Sequence, residues 1–302
     1  MHNAIANMLS RYECQSFNDY INALREILQE VALLGLWRGK FFEKAAFYGG
    51  TALRVLWGLD RFSEDMDFSL LNPIENFDIA GYAAFLQKEC EAFGFDVHFE
   101  KSEKSFQSPV QSAFLKANTR KQLLVIETAE EIIQAIPKGK LLKIKIEVDT
   151  DPPKGFKTET SYILLPIPFA VRAYSLPDLF AGKMHAILCR RWTTRIKGRD
   201  WYDLVWYAAN HPQLHLFHLE QRMRQTLDWQ GKEPLNKGTF SNLLTPLDCP
   251  DRPADKWRDG ISQVDAIDRF PHRRHQHRAS GGENRFRRAV LSPLSPALLP
   301  VS

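Results

Sequence analysis

The spacing of apolar residues predicts that helices and strands alternate along the first half of the chain. Residues 17–37 carry apolar side chains three and four positions apart, which is the period of an amphipathic helix. The apolar run 45–48 is typical of a short buried strand, and two glycines connect it to a second helix over 51–57. Gly58 directly follows that helix and is predicted to cap its C-terminus.

Strict alternation over residues 65–70 predicts a half-buried strand. Asp65, Asp67 and Ser69 share one face of it, and the apolar residues at the even positions take the other. The same criteria predict a helix over 78–93 and strands or extended segments over 95–100, 110–118, 122–126, 141–149 and 162–171. The first 172 residues therefore predict an α/β domain built on a mixed sheet.

The pattern becomes helical from Ser175 onward. Ser175 to Asp178 has the form of a capping box with a proline in the first turn, which predicts a helix reaching about Arg190. Further helices are predicted over 200–209 and 216–228. We therefore predict an α+β protein with an α/β domain at 1–172 and a helical domain at 173–249 that completes the site.

Residues 250–302 show no apolar period and are rich in proline, arginine and histidine. Three interpretations remain open: a disordered basic tail, a tail that contacts RNA, and the product of a reading-frame error.

Composition narrows the class of protein. An apolar fraction of 44% and a charged fraction of 25% are ordinary for a folded soluble chain. We find no membrane-length apolar run and no basic-then-apolar leader, so we expect no membrane association. The four cysteines are far apart in sequence, which argues against a zinc knuckle of adjacent cysteines or a disulfide framework and predicts a cytoplasmic protein.

The net charge of +4 conceals an uneven distribution. Residues 251–302 carry 10 basic and 6 acidic side chains and so account for the whole excess. Residues 1–100 carry 8 basic and 15 acidic groups, whereas residues 101–200 carry 18 and 10. This excludes a uniformly basic nucleic-acid coat and is compatible with an acidic site that faces a basic surface.

The candidate chemistry is concentrated between Gly49 and Asp67. Two glycines between a strand and a helix allow a ligand to approach the backbone, although such a pair is often only a tight turn. Asp65 and Asp67 lie on one side of a strand, where like charges repel unless a cation lies between them. A solvated polar face is the alternative, but the apolar opposite face and the preceding glycine turn favour a metal, and oxygen ligands suit Mg²⁺.

A third carboxylate is expected on the strand 141–149. Two-metal phosphoryl transfer uses a further carboxylate to activate the attacking hydroxyl. Glu147 and Asp149 share one strand face with Lys143 and Lys145, and the pattern does not decide between the two acids.

Two features of the helical half carry charge at notable positions. Lys183 falls within the apolar stripe of its helix. Either its aliphatic stem packs there while its ammonium reaches water, or its ammonium is positioned against a triphosphate. Basic residues then run from Arg190 to Arg199 without an acid before Asp200, which is more often a solvated loop than a ligand site. Asp200 itself favours a helix N-terminus.

In their order along the chain, these motifs resemble the AbiEii/AbiGii toxin family, nucleotidyltransferase-like proteins of bacterial abortive-infection and toxin–antitoxin systems. The resemblance covers about residues 25–225, and relatives usually end in further helices that residues 250–302 do not resemble. The matching segments are Gly49-Gly50-Thr51-Ala52-Leu53, Arg61-Phe62-Ser63-Glu64-Asp65-Met66-Asp67-Phe68, the Lys183 helix and Arg199-Asp200-Trp201-Tyr202-Asp203-Leu204.

The resemblance implies a DNA-polymerase-β-like nucleotidyltransferase fold, Mg²⁺, an NTP, and transfer of a nucleotide to RNA, in particular tRNA, which blocks translation. It also implies a cognate antitoxin encoded alongside. By motif, the resemblance implies metal binding by Asp65 and Asp67 together with Glu147 or Asp149. It implies nucleotide binding by Gly49, Gly50, Thr51, Arg61, Ser63 and Lys183. It further implies that Lys183 and Asp200 complete the catalytic set. Two other functions remain open, namely nucleotide transfer to a small molecule such as an antibiotic, and nucleotide or RNA binding without catalysis.

Overall fold

The computed structural model describes residues 3–102, 109–118, 139–190 and 198–244. The strand predicted over 122–126, most of the basic run between Arg190 and Arg199, and the tail from 250 onward lie outside these ranges. The described helices and strands are α1 (Asn3–Leu9), α2 (Phe17–Arg38), β1 (Ala45–Tyr48), α3 (Gly49–Trp57), β2 (Asp65–Leu70), α4 (Ala83–Ala92), β3 (Val97–Ser102), β4 (Val110–Asn118), β5 (Leu141–Asp149), β6 (Thr158–Ile163), β7 (Phe169–Tyr174), α5 (Leu176–Cys189), α6 (Gly198–Asn210), α7 (Leu216–Gln225) and α8 (Lys237–Leu244).

The described strands form one mixed sheet of seven, in the order β3-β4-β5-β2-β1-β7-β6. Strand β2 pairs antiparallel with β1 and parallel with β5, so the Asp65 strand lies near the middle of the sheet. Central strands need a buried apolar face, and β5 supplies one through Leu142, Ile144, Ile146 and Val148, all fully buried. The predicted α+β fold, a mixed sheet followed by helices, is confirmed.

The chain divides into two compact units, of which the first contains the sheet. It comprises the described residues up to Pro152 together with Thr158–Ala173. Its core is built on α2, whose apolar stripe is completely buried at Leu24, Ile27 and Val31 and packs with α4 and the inner face of the sheet. Burial of that stripe explains why α2 is a long, uninterrupted helix.

The second unit comprises Pro153–Lys157 and the described residues from Tyr174 onward, and it contains α5 to α8. Helix α5 packs against both α6 and α7. The ring of Phe180 on α5 stacks on Tyr207 of α6 with 4.5 Å between centroids, and both side chains are almost fully buried. Among the described helices, none combines the length and apolar composition that a membrane span requires.

Ser175 caps α5 in a different way from the predicted capping box. It occupies the N-cap position, but its hydroxyl donates to the carboxylate of Asp178 instead of accepting from a backbone amide. Asp178 is buried and also accepts from the Lys157 amide at 3.0 Å, and it contacts Nδ1 of His215 at 2.6 Å. The Asp178 carboxylate thus joins three segments of the unit, and the Ser175 hydroxyl is one of its hydrogen-bond donors.

Candidate active site

The turn between β1 and α3 brings the two glycines against the aspartate strand. Tyr48 pairs with Asp67 across the sheet, so Gly49 begins α3 directly beside the Asp67 side chain. Gly49 has φ +82°, and a Cβ placed on it would lie 2.3 Å from Oδ2 and 3.0 Å from Cβ of Asp67. Only glycine combines this backbone conformation with so close an approach. The glycine pair is therefore part of the geometry that places Asp67.

The next two residues of α3 contact the remainder of the motif. A Cβ placed on Gly50 would lie 3.0 Å from Nη2 of Arg61 and 3.0 Å from Oγ of Ser63. The Thr51 hydroxyl donates to the backbone carbonyl of Asp65. The start of α3, the Arg61–Ser63 segment and the start of β2 are thus brought together.

Two buried polar side chains hold the connection between α3 and β2 in place. Arg54 donates to the carbonyls of Leu59 and Asp60 at 2.8 Å each and to the carboxylate of Glu26 at 2.9 Å. Gln29 of α2 donates to the carbonyls of Ser63 and Glu64 at 3.0 Å each. These bonds anchor the backbone that carries Arg61 and Ser63 to the core helices.

The register between β2 and β5 decides which carboxylate lies beside the aspartates. Asp65 pairs with Lys145, Asp67 with Glu147, and Ser69 with Asp149. Directly paired residues of adjacent parallel strands project from the same face, about 4.8 Å apart along the hydrogen-bonding direction. Glu147 therefore flanks Asp67, whereas Asp149 lies two residues further along and accepts from the Asp151 amide at 3.0 Å.

Lys145 places a positive charge within this acidic group. Its ammonium lies 2.8 Å from Oε1 of Glu147, which also accepts from the Ser112 hydroxyl at 3.1 Å. The pKa of Lys145 is raised chiefly by its hydrogen bond to Glu147, while partial burial opposes the rise and the charges of Asp65 and Asp67 add to it. The neighbouring carboxylates thus favour the charged, protonated form of Lys145, as expected where carboxylates converge.

The donor set fits the metal that the resemblance implies. Asp65, Asp67 and Glu147 are hard oxygen donors on two adjacent strands, and Mg²⁺ is usually bound by one or two carboxylates together with substrate phosphates. The absence of a side chain on Gly49 allows the Asp67 carboxylate to lie directly against the start of α3. These residues are compatible with an Mg²⁺–nucleotide site.

Lys183 and Asp200 meet in the helical unit. The Lys183 ammonium lies 3.1 Å from Oδ1 of Asp200 and 2.6 Å from Oδ2 of Asp203, and Arg190 lies 2.6 Å from Oδ2 of Asp200. Asp203 is fully buried, and Lys183 retains only 16% of its side-chain exposure. Two carboxylates and two cations thus form a compensated cluster that joins α5 to α6.

We predict that Lys183→Met lowers the free energy of unfolding by about 1–3 kcal/mol, because it removes the ammonium that neutralises a buried carboxylate. The expected loss of unfolding free energy is smaller than for a fully buried ion pair, because solvent reaches the lysine. Chemical denaturation of the full chain measures the change. Lys183→Arg keeps the charge and should restore stability, and a native-like stability of Lys183→Met would contradict the prediction.

The same pair of variants separates two roles for Lys183. If it is purely structural, Lys183→Arg restores nucleotide transfer together with stability. If it contacts the nucleotide, Lys183→Arg restores stability but not transfer, because the guanidinium has a different shape and donor geometry from the ammonium.

Four contributing side chains were not assigned a site role from the sequence: Gln29, Arg54, Lys145 and Asp203. The sequence did contain a signal for Lys145 and Asp203. Lys145 shares a strand face with Glu147 and Asp149, and Asp203 shares a helix face with Asp200. Gln29 and Arg54 gave no such signal. Gln29 bonds to backbone carbonyls about 35 residues away, and Arg54 bonds to carbonyls five and six residues away and to the Glu26 carboxylate 28 residues away.

The chain matches the family model for the nucleotidyl transferase AbiEii toxin of type IV toxin–antitoxin systems over residues 31–279. Among solved structures, it is similar to JHP933 from Helicobacter pylori, with 17% identity, a TM-score of 0.41, and coverage of 68% of this chain and 74% of that chain. It is also similar to a candidate nucleotidyltransferase from H. pylori, with 17% identity, a TM-score of 0.40, and coverage of 81% and 93%. Curated protein sequences provide no match.

Proposed function

The chain belongs to the AbiEii family of nucleotidyl transferase toxins of type IV toxin–antitoxin systems, and from this premise we propose that it transfers a nucleotide from an NTP to RNA in an Mg²⁺-dependent reaction. The proposed acceptor is tRNA, and the proposed consequence is a block of translation. Membership of a toxin–antitoxin family implies an antitoxin partner and a nucleotide substrate. The proposed substrates place the activity in the cytoplasm.

The observation that carries this proposal is the convergence of three acids on the glycine turn. Strand register sets Glu147 beside Asp67, and Gly49 brings the start of α3 against the same aspartate. We assign Asp65, Asp67 and Glu147 to metal binding, and the amides of Gly49, Gly50 and Thr51, with Arg61 and Ser63, to the phosphates. Backbone amides at a helix start and a guanidinium are suitable donors for phosphate oxygens.

The proposed reaction uses this arrangement as follows. An acceptor hydroxyl oxygen attacks the α-phosphorus, the bond from that phosphorus to the pyrophosphate oxygen breaks, and pyrophosphate leaves. The hydroxyl proton passes to a carboxylate, which we assign to Glu147. Mg²⁺, held by the three acids, would neutralise charge on the phosphates when bound. The protein contributes alignment of the nucleotide and electrostatic stabilisation by Arg61 and the turn amides.

A polyanionic acceptor is supported by the charge distribution of the chain. Residues 101–200 carry 18 basic and 10 acidic side chains. Basic surfaces attract nucleic acid through its phosphates, in a manner that salt weakens. A small neutral acceptor would not require such an excess.

The proposal is tested by incubating the full chain with each α-labelled NTP, Mg²⁺ and total tRNA, and separating the products on a denaturing gel. We expect label on tRNA with one or more NTPs and none when EDTA replaces Mg²⁺. Label on a small acceptor but not on RNA would assign the alternative enzyme class. NTP binding without any labelled product would assign a binding protein and overturn the proposal.

In the same assay we predict that Glu147→Gln lowers transfer by about 10²-fold or more, the range expected for loss of a general base. Asp149→Asn should change transfer by less than about threefold, because Asp149 is paired with Ser69 and not with either motif aspartate. The two variants are matched, since each replaces one carboxylate of β5 by its amide. If Asp149→Asn lowered transfer strongly and Glu147→Gln did not, Asp149 would be the catalytic carboxylate.

A further inference from the structure

A second cluster of metal-binding side chains lies in the helical unit. His185 and Cys189 are four residues apart on α5 and therefore lie on the same side of the helix. Asp228 follows the end of α7, which packs against α5. One ligand atom from each of these residues lies within 4.8 Å of the other two. A nitrogen, a sulfur and an oxygen donor thus converge on one point.

We propose that His185, Cys189 and Asp228 bind Zn²⁺, with a water molecule as fourth ligand. Imidazole, thiolate and carboxylate are all established zinc donors, and three protein ligands with one exchangeable position form a regular tetrahedral site. A thiolate disfavours Mg²⁺, which prefers oxygen. The site therefore differs in donor chemistry and in residues from the proposed Asp65–Asp67–Glu147 site.

The distances are close to those of a bound ion. Ligands at about 2.0–2.3 Å from a tetrahedral Zn²⁺ lie about 3.3–3.8 Å from one another. Nε2 of His185 is 4.0 Å from Oδ2 of Asp228, so shifts of about 1 Å or less would close the three side chains onto an ion. The Thr226 hydroxyl contacts both groups, 3.0 Å from Nε2 and 2.5 Å from Oδ2.

Zinc binds a neutral imidazole and a thiolate, and a cysteine thiol carries its proton at pH 7 in the absence of a cation. Binding replaces that proton, which leaves to solvent, and the Zn²⁺ charge is balanced by one thiolate and one carboxylate.

The ion would join the last turn of α5 to the segment that follows α7. Cys189 is the final residue of α5, and Arg190 directly after it pairs with Asp200 at 2.6 Å. Zinc at Cys189 would therefore hold in place the point from which Arg190 reaches α6. We expect bound zinc to raise the thermal midpoint of the full chain, because it binds the folded state alone.

Cobalt substitution in the full chain tests the site directly. We expect one tetrahedral Co²⁺ per chain, which gives strong visible absorption and a near-ultraviolet charge-transfer band from the thiolate, and we expect Zn²⁺ to displace both bands. Cys189→Ser should remove the charge-transfer band, whereas Cys14→Ser, which changes a free cysteine of similar exposure, should leave it unchanged. A thiolate band that is absent in the native chain, or that persists in Cys189→Ser, overturns the proposal.

Asp228→Asn provides a variant that does not endanger the fold, because Asp228 is exposed. We expect it to weaken zinc affinity by more than about tenfold, measured by competition with a chromophoric chelator. An unchanged affinity would overturn the three-ligand assignment. Asp65→Asn should bind zinc normally, so loss of nucleotide transfer and loss of the zinc site are distinguishable outcomes.

Discussion

Asp65→Asn is expected to lower nucleotide transfer to tRNA by at least about 10³-fold, which corresponds to about 4 kcal/mol of transition-state stabilisation. The substitution removes one negative charge from the acidic group formed with Asp67 and Glu147. That group is proposed to hold the cation that neutralises the phosphates, and a neutral amide binds Mg²⁺ far more weakly than a carboxylate does. The measurement is the initial rate of label transfer at saturating NTP.

Stability should not fall with activity in this variant. The Asp65 carboxylate is repelled by Asp67 and Glu147 and attracted by the Lys145 ammonium, so removing its charge changes opposing interactions together. We expect the unfolding free energy to change by less than about 1 kcal/mol. Glu64→Gln is the matched control, because Glu64 precedes Asp65, is 65% exposed and pairs with Arg25. Full activity of Asp65→Asn would refute the proposed role.

Gly49→Ala is expected to lower nucleotide transfer by about 10²-fold or more and to lower the free energy of unfolding by about 2–4 kcal/mol. The added methyl group would lie 2.3 Å from Oδ2, 3.0 Å from Cβ and 3.1 Å from Cγ of Asp67, so the whole side chain must move. The backbone at φ +82° is strained for any residue with a Cβ. Asp67 is a proposed metal ligand, and displacing such a group by about 1 Å is enough to reduce the rate by about 10²-fold.

Two other glycines make this a graded series. Gly81→Ala should be neutral in stability and activity, because a Cβ there meets no atom within 4 Å. Gly50→Ala should fall between the two, since its Cβ would approach the ends of the Arg61 and Ser63 side chains at 3.0 Å. Activity and denaturation midpoints are measured for all three. If Gly49→Ala resembled Gly81→Ala, the close approach to Asp67 would be irrelevant to the site.

Secondary structure was predicted well where periodicity was strong. The predicted bounds of β1, β2, β4 and β5 are the observed ones, because β1 is a continuous apolar run and the other three carry stretches that alternate between a buried and an accessible face. Helices α1 and α8 were not predicted, since each has only seven or eight residues and too few turns to show a period. Helix α3 begins at Gly49, two residues earlier than predicted.

The residues of the candidate site came from two sources. Spacing pointed to the glycine turn and the two aspartates, the family resemblance added Arg61 and Ser63, and the fold brings these residues together. The choice between Glu147 and Asp149 required strand register, which depends on how β5 packs against β2. The pairing of Lys183 with Asp203 required the packing of α5 on α6, and the His185–Cys189–Asp228 cluster required the packing of α5 on α7.

The sequence by itself determined the local geometry of this protein: which residues alternate on a strand, which share a helix face, and where glycine allows the chain to turn. These depend on backbone periods that act over a few residues. Only the tertiary structure decided which charges face each other across elements. Glu147 lies beside Asp67, 80 positions earlier in the chain, because buried apolar faces set the register of β2 and β5.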